Sequence, residues 1–311
     1  MPSLKEIKGR IGSVKSTLKI TSAMKLVASS KLRRAQQAVQ SMLPYERQLH
    51  TILQDLMTDY AAKLDLGKIA PSEGMGGAFV SGRGEIRRVA LVALSSNSSL
   101  CGGFNANAVR LALETIRSYE SAGAAVTVFA VGRKMSEAMR RVGITPEEVP
   151  FGDGTLDFVK LSEKPDYAHA SALAGALMEG FVSERFDRVE LVWNHFVSTA
   201  SQKAVRETFL PFALDPASGE SGSEEARQGL FIVEPTTAYQ VSQLLPKVLK
   251  LKIFTVLLDS SAAEHAARTI AMQTATDNGE DLLQELTLDY NKGRQQKITS
   301  EILDIVGGSL K

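Results

Sequence analysis

The chain of 311 residues has little of the chemistry that redox and metal proteins use. It contains one cysteine, Cys101, which excludes an internal disulfide, and a thiol redox switch would need a second cysteine. The four histidines lie far apart in the sequence, and none has a neighbour at the spacing typical of a metal site. We therefore predict no metal site. The histidines are His50, His169, His195 and His265.

Long apolar runs are also missing. No stretch reaches the roughly eighteen uncharged apolar residues that a membrane-spanning helix needs. The nearest, Leu244 to Leu258, is interrupted by three lysines. The amino terminus lacks the apolar core of a signal peptide and enters a helical pattern at once, which argues against a cleaved leader. We expect a soluble protein that reaches a membrane only through its partners.

The first sixty residues carry the clearest periodic pattern. Fourteen of the seventeen positions that alternate by three and four residues from Leu4 to Tyr60 are apolar, which is the seam of a left-handed coiled coil. The helix would be about 85 Å long, and ordinary packing of a core helix is the less favoured alternative because core helices are seldom this long. Pro44 should kink it. The seam positions are Leu4, Ile7, Ile11, Val14, Leu18, Thr21, Lys25, Ala28, Leu32, Ala35, Val39, Met42, Glu46, Leu49, Leu53, Leu56 and Tyr60.

The middle of the chain alternates between strands and helices. Residues 61–86 form a glycine-rich stretch that predicts a flexible linker, and residues 87–235 predict an α/β domain with a partly parallel sheet. The predicted strands are RRVALVALSS, AAVTVFAVG, RVELVWNHFVS, ETFLPF and GLFIVEP. The predicted helices are Asn105 to Ser121, Arg133 to Val142 and Asp166 to Arg185. Asp215 to Gly229 predicts a polar loop.

A second long helix is predicted in the C-terminal segment, residues 236–311. Its helical pattern runs from about Pro246, which suits a first turn, to about Val306, or about 90 Å. Its seam is less regular, because alanines crowd the first half and larger apolar residues return only from Leu282. Two helices of equal length that flank one domain can pair only if the chain goes out and back. The sequence therefore predicts an antiparallel two-helix coiled coil with an inserted Rossmann-like α/β domain.

Positive charge is concentrated at the amino terminus. Residues 1–42 contain nine lysines and arginines but a single acidic residue, Glu6, in a chain whose net charge is only +1. These cations could neutralise nucleic-acid phosphates, but no aromatic residue precedes Tyr45 to stack on bases. We predict no nucleic-acid partner, because an acidic protein surface fits better. The cations are Lys5, Lys8, Arg10, Lys15, Lys19, Lys25, Lys31, Arg33 and Arg34.

The turn after the first strand, in VALVALSSNSSLCGGFNANAV, is the only candidate for an enzyme site. Glycine turns of this kind hold phosphate at a helix amino terminus. The spacing is not GxGxxG, however, and there is no Walker lysine, so we predict no bound cofactor. Cys101 has no nearby histidine in sequence to activate it as a nucleophile, and a small buried apolar role suits it better.

Three runs of sequence resemble one known family, the gamma subunits of F-type ATP synthases. They are IKGRIGSVKSTLKITSAMKLVASSKLRRAQ near the amino terminus, LCGGFN in the middle and EHAARTIAMQTATDNGEDLLQELTLDYNKGRQQKITSEILDIVGGS near the end. Together they cover effectively the whole chain, in the family's order. The run Ser96 to Ser99 departs from the acidic–basic–glycine run that is usual there, and Ser309 replaces the usual alanine.

The resemblance implies a non-catalytic rotor shaft, with the catalytic sites on the beta subunit. Its implied partners are the alpha and beta subunits, the epsilon subunit and the membrane c-ring. The implied location is peripheral, on the cytoplasmic side of a bacterial cell inner membrane. A generic coiled-coil adapter and a nucleotide-binding enzyme remain the alternatives.

The resemblance also implies which residues contact the partners. A catch region that grips an acidic loop of beta would comprise Met24, Lys25, Arg294, Gln295, Thr299 and Glu301. An apolar tip that turns inside the hexamer would comprise Ile298, Ile302, Ile305, Val306 and Leu310.

Overall fold

Two long helices frame a small α/β domain in the computed structural model, which describes residues 3–65, 79, 84–212, 234 and 236–309. The prediction of two terminal helices around an inserted α/β domain is confirmed. In chain order the elements are α1 (Leu4–Asp65), β1 (Arg88–Leu94), α2 (Phe104–Ser121), β2 (Ala125–Val131), α3 (Arg133–Arg141), β3 (Pro150–Phe151), β4 (Gly154–Thr155), α4 (Phe158–Glu163), α5 (Tyr167–Val182), β5 (Arg188–Phe196), β6 (Gln202–Leu210) and α6 (Thr237–Ser309).

The sheet has the strand order β2-β1-β5-β6. The strands β2, β1 and β5 are parallel, and β6 is antiparallel to β5. β1 is apolar and buried along nearly its whole length, as expected for a parallel strand that is covered on both faces. The sheet is therefore the middle layer of a three-layer domain.

The two faces of the sheet pack against different elements. One face packs against α2 and α3 through residues such as Leu91, Val192 and Met135. The other face packs against α5 and α6 through residues such as Val92, Leu177 and Leu249, and the end of α1 joins it with Leu53. The core of the domain thus continues into the two long helices, which fixes the domain near one end of the helix pair.

α1 extends further than the sequence predicted, whereas α6 lies within the predicted segment 236–311 but begins before the expected first turn at Pro246. α1 continues to Asp65 instead of ending at residue 60, and it runs through Pro44 as an uninterrupted helix. α6 begins at Thr237, so the prediction that Pro246 lies in its first turn was wrong. Val241 and Leu245 are buried at helical spacing before the proline. Their tertiary packing outweighs the one backbone hydrogen bond that Pro246 removes.

The domain contains short elements that the periodic pattern did not predict. These are the hairpin of β3 and β4 and the one-turn helix α4, whose first turn is capped by the Asp157 carboxylate. β6 begins at Gln202 and covers most of the predicted strand ETFLPF. Residues 61–65 of the predicted linker belong to α1, and most of the rest of the linker lies outside the described residues, as do the predicted loop 215–229 and nearly all of the strand GLFIVEP.

Candidate functional site

α1 and α6 pair antiparallel along one continuous seam. The Thr276 hydroxyl donates to the Thr21 hydroxyl at 2.9 Å. A Cβ built on Gly279 would lie 2.6 Å from Leu18 Cδ2, and one on Gly293 would lie 3.1 Å from Leu4 Cδ2. In each of these three pairs the residue numbers add up to 297. A constant sum means that the two helices run in opposite directions. The predicted antiparallel coil is therefore confirmed.

The seam of α1 lies where the spacing predicted it. None of its positions from Leu4 to Leu56 is exposed, and Ala28, Leu32 and Ala35 are buried. Lys25 is half-buried at its seam position, opposite Met272 in the constant register. Leu32 packs against Ala262 and Ala266, which keeps the same register on the far side of Lys25. The coil therefore accommodates Lys25 without a shift of register.

The seam of α6 is as regular as that of α1, although the sequence did not reveal it. The constant register places every seam residue at alternating spacings of four and three, and all are buried or half-buried. Its members include two glycines and a threonine in place of aliphatic residues, because the helices approach closely there. Apolar periodicity alone could not detect such a seam. The members are Met272, Thr276, Gly279, Leu283, Leu286, Tyr290 and Gly293.

The charged side chains of the coil point away from the seam. Eight of the nine cations of α1 are exposed, and only Lys25 is half-buried. The facing part of α6 exposes acidic residues instead, and no salt bridge between these two sets is found in the described part of the chain. The cations of α1 are thus available to a partner with an acidic surface. The exposed acidic residues are Asp277, Glu280, Asp281, Glu285 and Asp289.

The crevice where an α/β sheet usually binds a nucleotide is covered by α6. Ligands in such sheets bind beyond the carboxyl ends of the strands, at the point where the strand order reverses, which here lies between β1 and β5. Ala263 and Ala267 of α6 pack there against Cys101 and Phe104. Arg268 of α6 donates to the Ser99 carbonyl in the same turn. The place that a phosphate would take is therefore occupied by protein.

The serine-rich turn itself has a packing role. The buried Ser96 hydroxyl donates to the Ser98 carbonyl at 2.6 Å. The backbone N–H of Ser96 donates to Asn105 Oδ1 at 3.0 Å. Asn97 links the turn to α4 and α3 by hydrogen bonds to backbone groups of Val159 and Arg133. Cys101 is 1% exposed, which agrees with its predicted role as a small buried residue.

Charged and titratable groups cluster where α6 passes the domain. Burial is the main reason why the pKa of the Glu264 carboxyl is raised, although Arg268 donates to it at 2.8 Å. Burial also lowers the pKa of His265 to about 4, and the nearby cations Lys31 and Arg268 add to this effect. The buried Nδ1 of His265 has no hydrogen-bond partner within the described ranges. His265 is therefore neutral in the folded chain at neutral pH.

We expect His265→Gln to weaken the acid sensitivity of the fold. An unfolded histidine binds a proton below pH 6.5, whereas the folded one resists it down to a pKa of about 4. The wild type should therefore lose stability as the pH falls from 6.5 towards 4, by about 2 kcal/mol at pH 5. Urea unfolding of both proteins at pH 7 and pH 5 measures this difference. An equal loss in both proteins would show that His265 is not the cause.

Beyond α1, no helix in the described part of the chain faces the last part of α6. Leu4 of α1 lies opposite Gly293, and α6 continues through residues 294–309, which is about 24 Å of helix. We call residues 294–309 the overhang. The predicted contact residues Arg294, Gln295, Thr299 and Glu301 all lie on it and are exposed.

The apolar residues predicted at the tip also lie on the overhang. Ile298, Ile302 and Ile305 are 47%, 55% and 72% exposed, and their spacing places them on one side of the helix. Leu303 is exposed as well, on another side, and was not predicted. The side chain of Val306 and the whole of Leu310 lie outside the described residues.

The structure separates Met24 and Lys25 from the other predicted contact residues. In the constant register Met24 lies opposite Gln273, which is 21 residues before Arg294 on α6. This corresponds to about 32 Å along the coil. Both residues are half-buried beside Leu26 and Val27, which are exposed. The six residues thus form two groups at different levels and not one site.

The described residues offer neither a metal site nor a membrane-spanning helix. They contain no group of three or more His, Cys, Asp or Glu side chains placed to hold a metal ion. No helix in them combines the length and apolar character needed to cross a membrane.

Comparison with known proteins gives consistent matches over the whole chain. The sequence profile of a family described as ATP synthase matches residues 3–310. The ATP synthase gamma chain of Phocaeicola vulgatus is 50% identical over 311 residues, with 100% of each chain covered. The ATP synthase gamma chain of Flavobacterium johnsoniae is 39% identical, with 99% of this chain and 98% of the relative covered.

Solved structures match at the level of the fold. One is the central stalk and c-ring structure of the Tetrahymena thermophila mitochondrial ATP synthase, with a TM-score of 0.54, 24% identity and coverage of 82% of this chain and 99% of the other. Another is from the Euglena gracilis mitochondrial ATP synthase, with a TM-score of 0.51, 20% identity and coverage of 91% and 94%.

Proposed function

The chain belongs to the ATP synthase gamma-chain family, and we propose that it is the central rotor shaft of an F-type ATP synthase. In this role it transmits torque between a membrane c-ring and a catalytic alpha/beta hexamer, and so couples the movement of protons or another ion to ATP synthesis or hydrolysis. The chain itself performs no catalysis, because the catalytic sites lie on the beta subunits. It binds the membrane only through its partners.

The observation that carries this proposal is the length of helix that projects beyond the domain. Packing between α6 and the domain reaches Ala271, which lies 4.0 Å from a Cβ built on Gly102. The coil continues from there for about 33 Å, with no further packing against the domain among the described residues, and the overhang adds about 24 Å. Such a projection has apolar residues at its end that no part of the described chain covers. It suits an axle whose end turns inside a sleeve of other subunits.

The charge and position of the surfaces support specific partners. The exposed cations of α1 favour an acidic surface on beta, and the alpha subunits would complete the sleeve around the apolar tip. The α/β domain, at the other end of the coil, would bind the epsilon subunit and the c-ring. In this proposal the protein lies peripherally on the cytoplasmic side of a cell inner membrane.

Arg294→Ala tests the proposed contact of the overhang with beta. Arg294 is exposed and has no ion pair within the described ranges, so its guanidinium is available to a carboxylate. We expect the variant to bind the alpha/beta hexamer about tenfold more weakly, the effect of losing one charge-assisted hydrogen bond. Lys292→Ala, which removes a nearby exposed cation, is the control and should bind normally. Equal binding by wild type and Arg294→Ala would exclude this contact.

Mixing the purified chain with alpha and beta subunits tests the proposed function. We expect a complex with one copy of the chain per hexamer and a raised ATPase rate. A generic coiled-coil adapter would give no such complex. ATP hydrolysis by the chain alone would contradict the proposal, because it would indicate an enzyme.

A further inference from the structure

One carboxylate of α6 holds the end of β5. Asp259 Oδ2 accepts a hydrogen bond from the Trp193 indole Nε1 at 2.8 Å, and Oδ1 accepts one from the Phe196 backbone N–H at 3.1 Å. His195 Nδ1 lies 2.8 Å from Oδ2. Trp193 and His195 share one face of the strand because side chains alternate along it. Three neighbouring residues of the sheet thus converge on a single side chain of the long helix.

The surroundings make these bonds different from ordinary surface contacts. The Asp259 side chain is 14% exposed, and Trp193 is buried. A hydrogen bond to a charged group in such a site contributes about 1.5–3 kcal/mol. Removing the carboxylate would also leave the buried indole N–H without a partner. The contact is therefore both directional and costly to break.

Much of the remaining contact between the domain and the long helices is apolar, and a partly exposed ion pair between Lys252 of α6 and Glu207 of β6, at 2.9 Å, adds a polar contact. Phe196 packs against the alanines of α6, and the core residues of the sheet pack against residues such as Leu249 and Leu257. Apolar burial supplies much of the free energy that joins the domain to the coil, but it is non-directional. The close packing of these side chains restricts the angle of the domain around the helix axis, and hydrogen bonds of fixed geometry restrict it further.

We propose that Asp259 sets the angle at which the α/β domain sits on the coil. Arg268 supplies the second fixed point through its bond to the Ser99 carbonyl. The two residues are nine positions apart, so they lie on opposite sides of α6 and about 13.5 Å apart along its axis. A rotation or tilt of the domain in either direction must stretch one of these contacts. Asp259 is a positioning residue, and its importance for torque transfer rests on the function proposed above.

Distance measurements between two spin labels test this role directly. We place one label at Val142, exposed on the domain, and the other at Leu282, exposed on the coil. Leu282 lies 23 residues beyond Asp259, or about 35 Å, so a small change of angle gives a large change of distance. Cys101 is buried, so the labels attach at the introduced cysteines. The measurement uses the full chain alone and needs no partner subunit.

We expect Asp259→Ala to broaden the distance distribution about twofold, because the contacts of the carboxylate with Trp193, His195 and Phe196 are lost while the apolar packing and the Arg268 contact remain. Trp193→Phe, which removes one donor and keeps a ring, should broaden it less. Asp277→Ala is the matched control, since that exposed carboxylate on the same helix bonds to Gln273 and not to the domain. It should leave the distribution unchanged.

An Asp259→Ala variant with a lower melting temperature but an unchanged distribution would overturn the proposal, because Asp259 would then contribute stability without setting the angle. If Asp259→Ala does not fold, the same distance measurement on Trp193→Phe tests the proposal. An unchanged distance distribution in Trp193→Phe would then overturn it. A failure of the wild-type chain to assemble with alpha and beta subunits would instead contradict the proposed function and leave this result intact.

Discussion

Leu286→Asp is expected to open the outer part of the coil while the α/β domain stays folded. Leu286 is 7% exposed on the seam of α6, opposite Ile11 in the constant register. The substitution removes a buried apolar side chain and introduces an unpaired charge, which together cost about 3–5 kcal/mol. In the described part of the chain, this outer part of the coil (residues 4–25 and 272–293) packs against no other element. It should therefore open as a local unit.

Hydrogen exchange measures this opening residue by residue. We expect the amides of residues 4–25 and 272–293 to exchange at least about 100-fold faster in Leu286→Asp, because each 1.4 kcal/mol corresponds to a tenfold change in the opening equilibrium. The amides of β1 and β5 should keep their protection. Leu288→Asp is the control, because Leu288 is 71% exposed only two residues away. Similar exchange in both variants would mean that the seam does not run through Leu286.

Replacing the three isoleucines of the overhang with serine is expected to weaken binding to the hexamer without affecting the chain itself. Ile298, Ile302 and Ile305 are largely exposed, so the triple variant should change the free energy of unfolding by no more than about 0.5 kcal/mol. If the tip is buried in a sleeve, the same change should cost about 3 kcal/mol of binding, or roughly 100-fold in affinity.

Titration of the alpha/beta hexamer with each protein measures the affinity, with ATPase activation as a second measurement. Leu303→Ser is the control, because Leu303 is exposed on a different side of the overhang. It should weaken binding much less than the triple variant. An unchanged affinity in the triple variant would show that the three isoleucines do not contact the hexamer. An equal loss of affinity in Leu303→Ser would show that binding does not depend on which side of the overhang is apolar.

The sequence predicted the two-helix architecture well because α1 carries a regular apolar seam. It did not predict the seam of α6, where Thr276, Gly279 and Gly293 stand at the contact positions. Small residues allow close approach but leave no apolar signal in a single sequence. Pro246 misled the prediction of the helix start for a related reason, since only the tertiary packing of Val241 and Leu245 shows that the helix begins earlier.

The sequence predicted the candidate site less well than it predicted the fold. A strand followed by a glycine turn is common to nucleotide sites and to this domain, and only the packing of Ala263, Ala267 and Arg268 shows that the crevice is covered. The partner-contact residues came from family resemblance alone. Their division into two levels depends on the register of the coil, which requires the contacts between the helices.

Direct observation of rotation tests the proposed rotor function. A bead would be attached through a cysteine introduced at Val142 on the α/β domain, since Cys101 is buried, and the alpha/beta hexamer would be fixed to a surface through beta. If the chain is a rotor shaft, we expect the bead to turn in one direction when ATP is added and to stop when ATP is removed. Complexes that hydrolyse ATP while the firmly attached bead shows no directed rotation would contradict the proposed rotor function.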